Sequence, residues 1–216
     1  MDSKNICCLC GLRKTNITKE HLFPRGLFNI PRPTNLPKRI PTCYECNNSL
    51  SKDEEDFRLF LTAGMAYESN VGKRMWVEKI RPSLKGRLKQ RKYHLVKKHR
   101  TIEKSGNVIE LPIIALERDS GNRVLRKFAK GLYYLDTQQV LPSEIEIDVG
   151  YYSENPDILS QTLDEARRGA CRVELGQGEV VYWRGIIKDN PEVSLTWIRF
   201  YEDKIFLICT SRQSTF

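Results

Sequence analysis

Two Cys-x2-Cys pairs, Cys7/Cys10 and Cys43/Cys46, constrain this chain more than any other feature. A two-residue knuckle turns two thiols onto one ion, and two knuckles supply the four thiolates of a closed, tetrahedral, structural zinc site. Cys8 is the poorer ligand candidate, because only Leu9 separates it from Cys10 and the knuckle spacing is lost. Seven cysteines is an odd number, and this spacing in a reducing compartment suits a metal rather than a disulfide framework. Zn2+ held by Cys7, Cys10, Cys43 and Cys46 is therefore the expected structural cofactor. The insert between the pairs, residues 11–42, is longer than the roughly 15 to 20 residues of a plain zinc ribbon. It must hold something besides a turn.

The remaining composition sets the frame for that site. With 216 residues, 40% hydrophobic content and a mean hydropathy of -0.49, the chain reads as a globular protein of one domain or two small ones. No run approaches the ~20 apolar residues of a membrane span, so no membrane partner is expected. The first residues, Met1 to Cys7, lack the charged-then-apolar layout of a secretory signal, which makes the cytoplasm the expected location. The net charge of +9 favours a polyanionic partner. Residues 73–104 hold thirteen Lys or Arg against two acids, Glu78 and Glu103, so the positive charge is concentrated there. Within that segment Lys73, Arg74, Arg87, Lys89, Arg91, Lys92, Lys97 and Lys98 are the expected phosphate contacts. His94 and His99 lie in the same run and are expected to face solvent or phosphate.

Periodicity divides the chain into an α+β order of elements. Residues 1–50, rich in Cys, Pro and Asn, read as short strands and loops. Ser51-Lys52-Asp53-Glu54 has the capping-box pattern and predicts a helix from near Ser51 to about Ser69, with Asp53 and Glu54 as first-turn acids. Pro82 should break or kink any helix around it, giving one helix before it and a second from Leu84 to His99. The turn at Glu103–Asn107 leads to a strand over Val108–Leu116, with Pro112 at an edge or bulge, in a hairpin. Leu125, Phe128, Ala129 and Leu132 mark an amphipathic helix. Ile145–Val149, Arg172–Leu175, Val180–Ile187, Leu195–Tyr201 and Ile205–Cys209 read as strands, the last two as a hairpin, with a helix from Asn155 to about Arg168. Cys171 and Cys209 are expected to be buried thiols.

Inside the long insert lies Glu20-His21-Leu22-Phe23-Pro24, and Asn47 follows the second knuckle directly. The ordered set Cys7/Cys10, Glu20-His21 with Pro24, Asn35-Leu36, Cys43/Cys46, Asn47 and a helix beyond resembles the HNH, or ββα-metal, endonuclease superfamily in its zinc-bearing form. The likeness covers roughly residues 1–65. It implies a zinc-stabilised ββα-metal module over 1–70, followed here by a basic helical connector over 71–100 and a mixed α/β domain with antiparallel strands over 101–216.

The resemblance implies that His21 is the general base on the attacking water, a task that suits an imidazole near neutral pH. Glu20 and Asn47 would hold a catalytic Mg2+ or Mn2+, and Asn35, or else Asn29, would match the middle asparagine that braces the loop around the histidine. Neighbours on a regular strand face opposite ways, so Glu20 and His21 can serve one site only where the strand ends, which is expected at His21. The implied activity is metal-dependent hydrolysis of phosphodiester bonds, in DNA before RNA. The alternative is a zinc module that binds DNA or RNA without cutting it. Lys130-Gly131-Leu132-Tyr133-Tyr134 resembles a region behind HNH motifs in bacterial proteins, which implies a role in a defence complex with an ATPase or other protein partner, or a homo-oligomer.

Overall fold

The computed structural model describes residues 5–37, 39–62, 69–84, 96–102, 108–114, 118–152, 169–202 and 204–212. The fold is mixed α/β with antiparallel sheets. It begins with β1 (Ile17–Glu20) paired antiparallel to β2 (Ile40–Cys43), and α1 (Tyr44–Thr62) follows without a break. Next come α2 (Asn70–Met75), a π-helical stretch (Trp76–Ile80) and α3 (Arg81–Leu84). β3 (Val96–Ile102) pairs with β4 (Val108–Ile114), and α4 (Arg118–Thr137) leads to the last unit. That unit is a five-stranded sheet made of β5 (Ile145–Tyr152), β6 (Cys171–Leu175), β7 (Val180–Ile187), β8 (Asn190–Phe200) and β9 (Lys204–Arg212), in spatial order β5-β9-β8-β7-β6. Among the described residues, no helix is long and apolar enough to cross a membrane.

Alternation along the strands decides where the core lies. Val180, Ile198, Phe200, Phe206 and Ile208 face one side of the sheet and join a single buried cluster that also holds Cys7, Leu22, Phe23, Phe57 and Phe128. Their neighbours Val181, Trp183 and Trp197 form a separate cluster on the opposite face. The N-terminal β1-β2-α1 unit and the C-terminal sheet therefore share one core. Its centre is aromatic: the Phe57 ring lies 5.6 Å from Phe200 and 5.3 Å from Phe206, and Phe23 lies 4.8 Å from Phe128.

α4 is the central strut, because Val124, Leu125, Phe128, Ala129, Leu132 and Tyr133 recur at helical spacing and are all buried. Gly131 lets it come close to the β1-β2 unit. A Cβ there would lie 2.3 Å from Leu22 Cδ1 and 3.1 Å from Ile40 Cδ1. Polar links tie the same helix to its neighbours. Arg123 donates from Nε to Asp53 Oδ2 (2.6 Å) and from Nη2 to Asp53 Oδ1 (2.8 Å) on α1, and Arg184 of β7 donates from Nε to Asp136 Oδ2 (2.7 Å).

Several sequence expectations need correction. α1 starts at Tyr44 rather than near Ser51, because the second knuckle becomes its first turn. Ser51 Oγ donates to the Asn48 carbonyl in mid-helix, so it does not cap. Asp53 and Glu54 are consequently not first-turn acids: Asp53 pairs with Arg123 and Glu54 with Lys127. Pro82 lies within an uninterrupted helical run from Asn70 to Leu84, directly after the π-helical stretch in which the hydrogen-bond ladder shifts, so it does not break the helix. The connector is helical through Leu84, but Val96–Ile102 is a strand with register to β4, which overturns the helix expected through His99. Cys171 is exposed on the edge strand β6 and Cys209 is half-buried, so neither is a core thiol. The helix expected over 155–168 lies outside the described residues.

Two predictions test this packing. Gly131→Ala must push apart Leu22 and Ile40, so urea denaturation should show a loss of about 1 to 3 kcal/mol, and an unchanged midpoint would contradict the close approach. Hydrogen bonds from Arg123 hold the Asp53 carboxyl below its usual range. A depressed folded-state pKa stabilises above the unfolded value of about 3.9 and is lost as pH falls through it toward the folded one. Asp53→Asn should therefore cost about 1 kcal/mol at pH 7, Arg123 being half exposed, and denaturation curves for the two proteins should converge as pH falls from about 5 to 2.

Candidate metal centre and the adjoining cleft

The first knuckle is shaped by its backbone. Cys7 N donates to the Leu12 carbonyl and Gly11 N to the Cys7 carbonyl (2.9 Å), a closure that sets Gly11 at φ +73°, where a side chain would be strained. Cys8 N donates to the Pro41 carbonyl (2.8 Å), which fastens the knuckle to β2. Cys43 ends β2 and Cys46 lies in the first turn of α1.

The Sγ atoms of Cys7, Cys10, Cys43 and Cys46 all lie within 4.8 Å of one another. Tetrahedral zinc with Zn–S bonds near 2.3 Å needs S···S separations of about 3.8 Å, so these four sulfurs suit the ion with small adjustments. Their electrostatics point the same way. Burial opposes the Cys7 thiolate, but amide donors at Cys43, Cys10 and Leu9 leave its pKa lowered, while burial and the neighbouring sulfurs raise Cys46. Clustered thiols oppose one another's ionisation, and a dication among them is what would let all four ionise. Cys8 stands apart as a buried core thiol, pushed up to about 12 by burial.

Beside this cluster opens a cleft of about 480 Å³. Glu20 and His21 both line it, because β1 ends at Glu20 and the chain turns there. α1 supplies Ser51, Glu54, Glu55 and Arg58, residues at helical spacing that make one face of the helix. Asn47 is half-buried and lies on that same face one turn nearer the sulfurs, though it is not part of the lining. Burial lowers the His21 pKa and the positive charges of Arg25 and Arg39 lower it further against the pull of Glu20, so its imidazole is neutral at pH 7.

Beneath the acids lies a cation that sequence reasoning missed. Lys127 of α4, with its side chain only 1% exposed, donates from Nζ to Glu54 Oε1 (2.5 Å) and to Glu20 Oε1 (3.4 Å). Burial pushes the Glu54 carboxyl up, against the attraction of that ammonium. Glu20 Oε2 has no hydrogen-bond partner among the described residues. The only advance signal was Lys127 beside the apolar stripe of an otherwise amphipathic helix.

Both candidate bracing asparagines act at a distance from the cleft. Asn35 Nδ2 donates to the Glu174 carbonyl (2.8 Å) and its Oδ1 accepts from Gly176 N (3.2 Å), while Asn29 donates from N and Nδ2 to Glu179 Oε1. They fasten the insert to the turn between β6 and β7. Of the basic residues, Lys73 is exposed, and Arg74 is half-buried with Nη1 donating to Gln177 Oε1 and Nη2 3.6 Å from Glu179 Oε1. Lys97 and Lys98 lie on β3, and Arg87, Lys89, Arg91 and Lys92 lie outside the described residues.

No protein-family model, curated protein or solved structure matches the chain. The site is therefore defined by its own geometry. Zinc-loaded protein should carry about one zinc per chain. Cys7→Ser or Cys43→Ser should lower that ratio and the melting temperature together, whereas Cys171→Ser, outside the cluster, should alter neither.

Proposed function

We propose that the chain is a metal-dependent endonuclease of the HNH type, with zinc at the four cysteines and phosphodiester hydrolysis at His21. The observation that carries the reading is the pairing of a neutral, cleft-lining His21 with a β-β-α unit stapled by four thiols. Glu20 at the strand end, and Asn47 on the cleft-facing side of α1, stand in the order the superfamily pattern requires.

In this mechanism the neutral His21 imidazole takes the proton of a water aligned on the phosphorus. Glu20, through an Oε2 with no hydrogen-bond partner among the described residues, and the Asn47 amide oxygen are hard donors of the kind that hold Mg2+ or Mn2+. Such a cation, when bound, offsets charge on the phosphate and on the departing oxygen. Lys127 fixes the Glu20 carboxylate from below and keeps the acids at the strand end from repelling one another. Substrate is nucleic acid, with DNA favoured.

One observation supports a second reading. The single ammonium of Lys127 is shared between Glu20 and Glu54, an internal partner for the acids that suits a zinc module that binds nucleic acid without cutting it. Plasmid nicking separates the two. Zinc-loaded protein with added magnesium or manganese should relax supercoiled DNA, and His21→Ala should slow this by about 100-fold or more. Equal rates in both proteins, or no nicking by either, would remove the nuclease reading.

A further inference from the structure

The cleft lining carries cations that the nuclease reading leaves unused. Lys19, Arg25, Arg39 and Arg58 all line it together with His21. Each reaches it from a different point: Lys19 from β1, Arg25 from a 3-10 turn (Arg25–Leu27), Arg39 from the residue before β2, and Arg58 from α1. The β1-β2 register pairs Glu20 with Ile40 at the end of the ladder, and His21 and Arg39 are the next residues of the two chains beyond it.

The turn that carries Arg25 is fixed from outside. Lys79 Nζ donates to the Phe28 carbonyl (2.5 Å) and the Gly26 carbonyl (3.5 Å), and the buried Tyr201 hydroxyl donates to the Leu27 carbonyl (2.9 Å). Gly26 has no side chain, and Arg58 lies across it: a Cβ there would be 3.2 Å from Arg58 Cδ. Among the described residues, none of the four cations is paired with a carboxylate, although Glu20, Glu54 and Glu55 line the same cleft. Four cations in one lining, none within ion-pair distance of a described carboxylate, repel one another, and an anion between them relieves that repulsion.

We propose that Lys19, Arg25, Arg39 and Arg58 form a phosphate clamp that holds the phosphodiester backbone of a nucleic acid across His21. Cations and acids share the lining of one cleft, Arg58 one turn from Glu54 and Glu55 on α1 and Lys19 next to Glu20 on β1, and the guanidinium forks suit phosphate oxygens in a way that single ammonium charges do not. Backbone recognition is independent of base sequence, so the clamp positions the strand and does not read it. Its ligand class follows the nuclease reading, but its binding does not require that cleavage occur.

The test measures binding by the zinc-loaded full chain, without added magnesium or manganese, to labelled duplex DNA, single-stranded DNA and RNA over a salt series, with inorganic phosphate as competitor. Arg25→Gln/Arg39→Gln alters two exposed residues and should weaken binding about tenfold or more at low salt, flattening the log–log salt slope by about 1.8 on duplex or 1.4 on single strands. Arg25→Lys/Arg39→Lys should restore most of the slope. Arg13→Gln/Lys188→Gln, exposed and outside the cleft, should bind within twofold of the original protein. The polymer that shows the largest clamp-dependent loss identifies the natural backbone. Equal losses in the clamp and control pairs, or no binding to any of the three polymers, would overturn the proposal. Clamp-dependent binding without nicking would sink the nuclease reading alone, and nicking that is indifferent to the double variant would sink the clamp alone.

Discussion

Four sulfurs within 4.8 Å of one another are the constraint on which the N-terminal half depends. Cys7 and Cys10 come from a knuckle with little secondary structure of its own, while Cys43 and Cys46 span the junction of β2 and α1. Joining them fixes where the strand ends and where the helix starts. A two-stranded ladder of four residues each is marginal by itself, so the direction in which α1 leaves it has to be set by something stronger. A metal ion held by the four cysteines would supply that, and the face of α1 that reaches the cleft follows from the exit direction.

A second layer of control is electrostatic and comes from α4. Lys127 and Arg123, one turn apart on that helix, reach acids of the β1-β2-α1 unit: Lys127 meets Glu20 and Glu54, and Arg123 meets Asp53. The two contacts differ in kind. Arg123 is half exposed and its pair adds modestly to stability, whereas the Lys127 ammonium is enclosed and could not be left there without its acids. Gly131, a further turn along, removes the side chain that would keep the helix away. Packing and charge thus converge on one surface of α4, and the acids of the cleft inherit their placement from it.

How much of this was legible in the sequence depended on the range of the interaction. The knuckles, the Glu20-His21 step at a strand end and the alternating strands of the C-terminal sheet are local patterns, and each was readable. The start of α1 was not, because capping chemistry at Ser51 imitated a helix start that in fact lies at Tyr44, with Cys46 in the first turn. The strand over Val96–Ile102 was hidden because a run of Lys and Arg has helical propensity, which pairing with β4 overrides. The partners of Glu20 and Glu54, the docking of Asn29 and Asn35 and the gathering of Arg25, Arg39 and Arg58 all join residues far apart in the chain or of no distinctive spacing. No periodicity records such meetings. The density of charge in residues 73–104 drew attention from cations that are fewer but convergent.

The fastening of the insert has a consequence for how the molecule is made. Asn35 meets Glu174 and Gly176, Asn29 meets Glu179, and Tyr201 holds the Leu27 carbonyl, contacts that span 139 to 174 residues of chain. Synthesis runs from the N-terminus, so the knuckles and the first hairpin leave the ribosome long before the strands that anchor the loop beside them. A nascent chain can gather its sulfurs early, yet the insert stays unfastened until β6, β7 and the end of β8 have emerged. Closing loops of that length is slow compared with forming a hairpin or a helix. The insert is therefore among the last parts of the molecule to be fastened, although it is among the first to be translated.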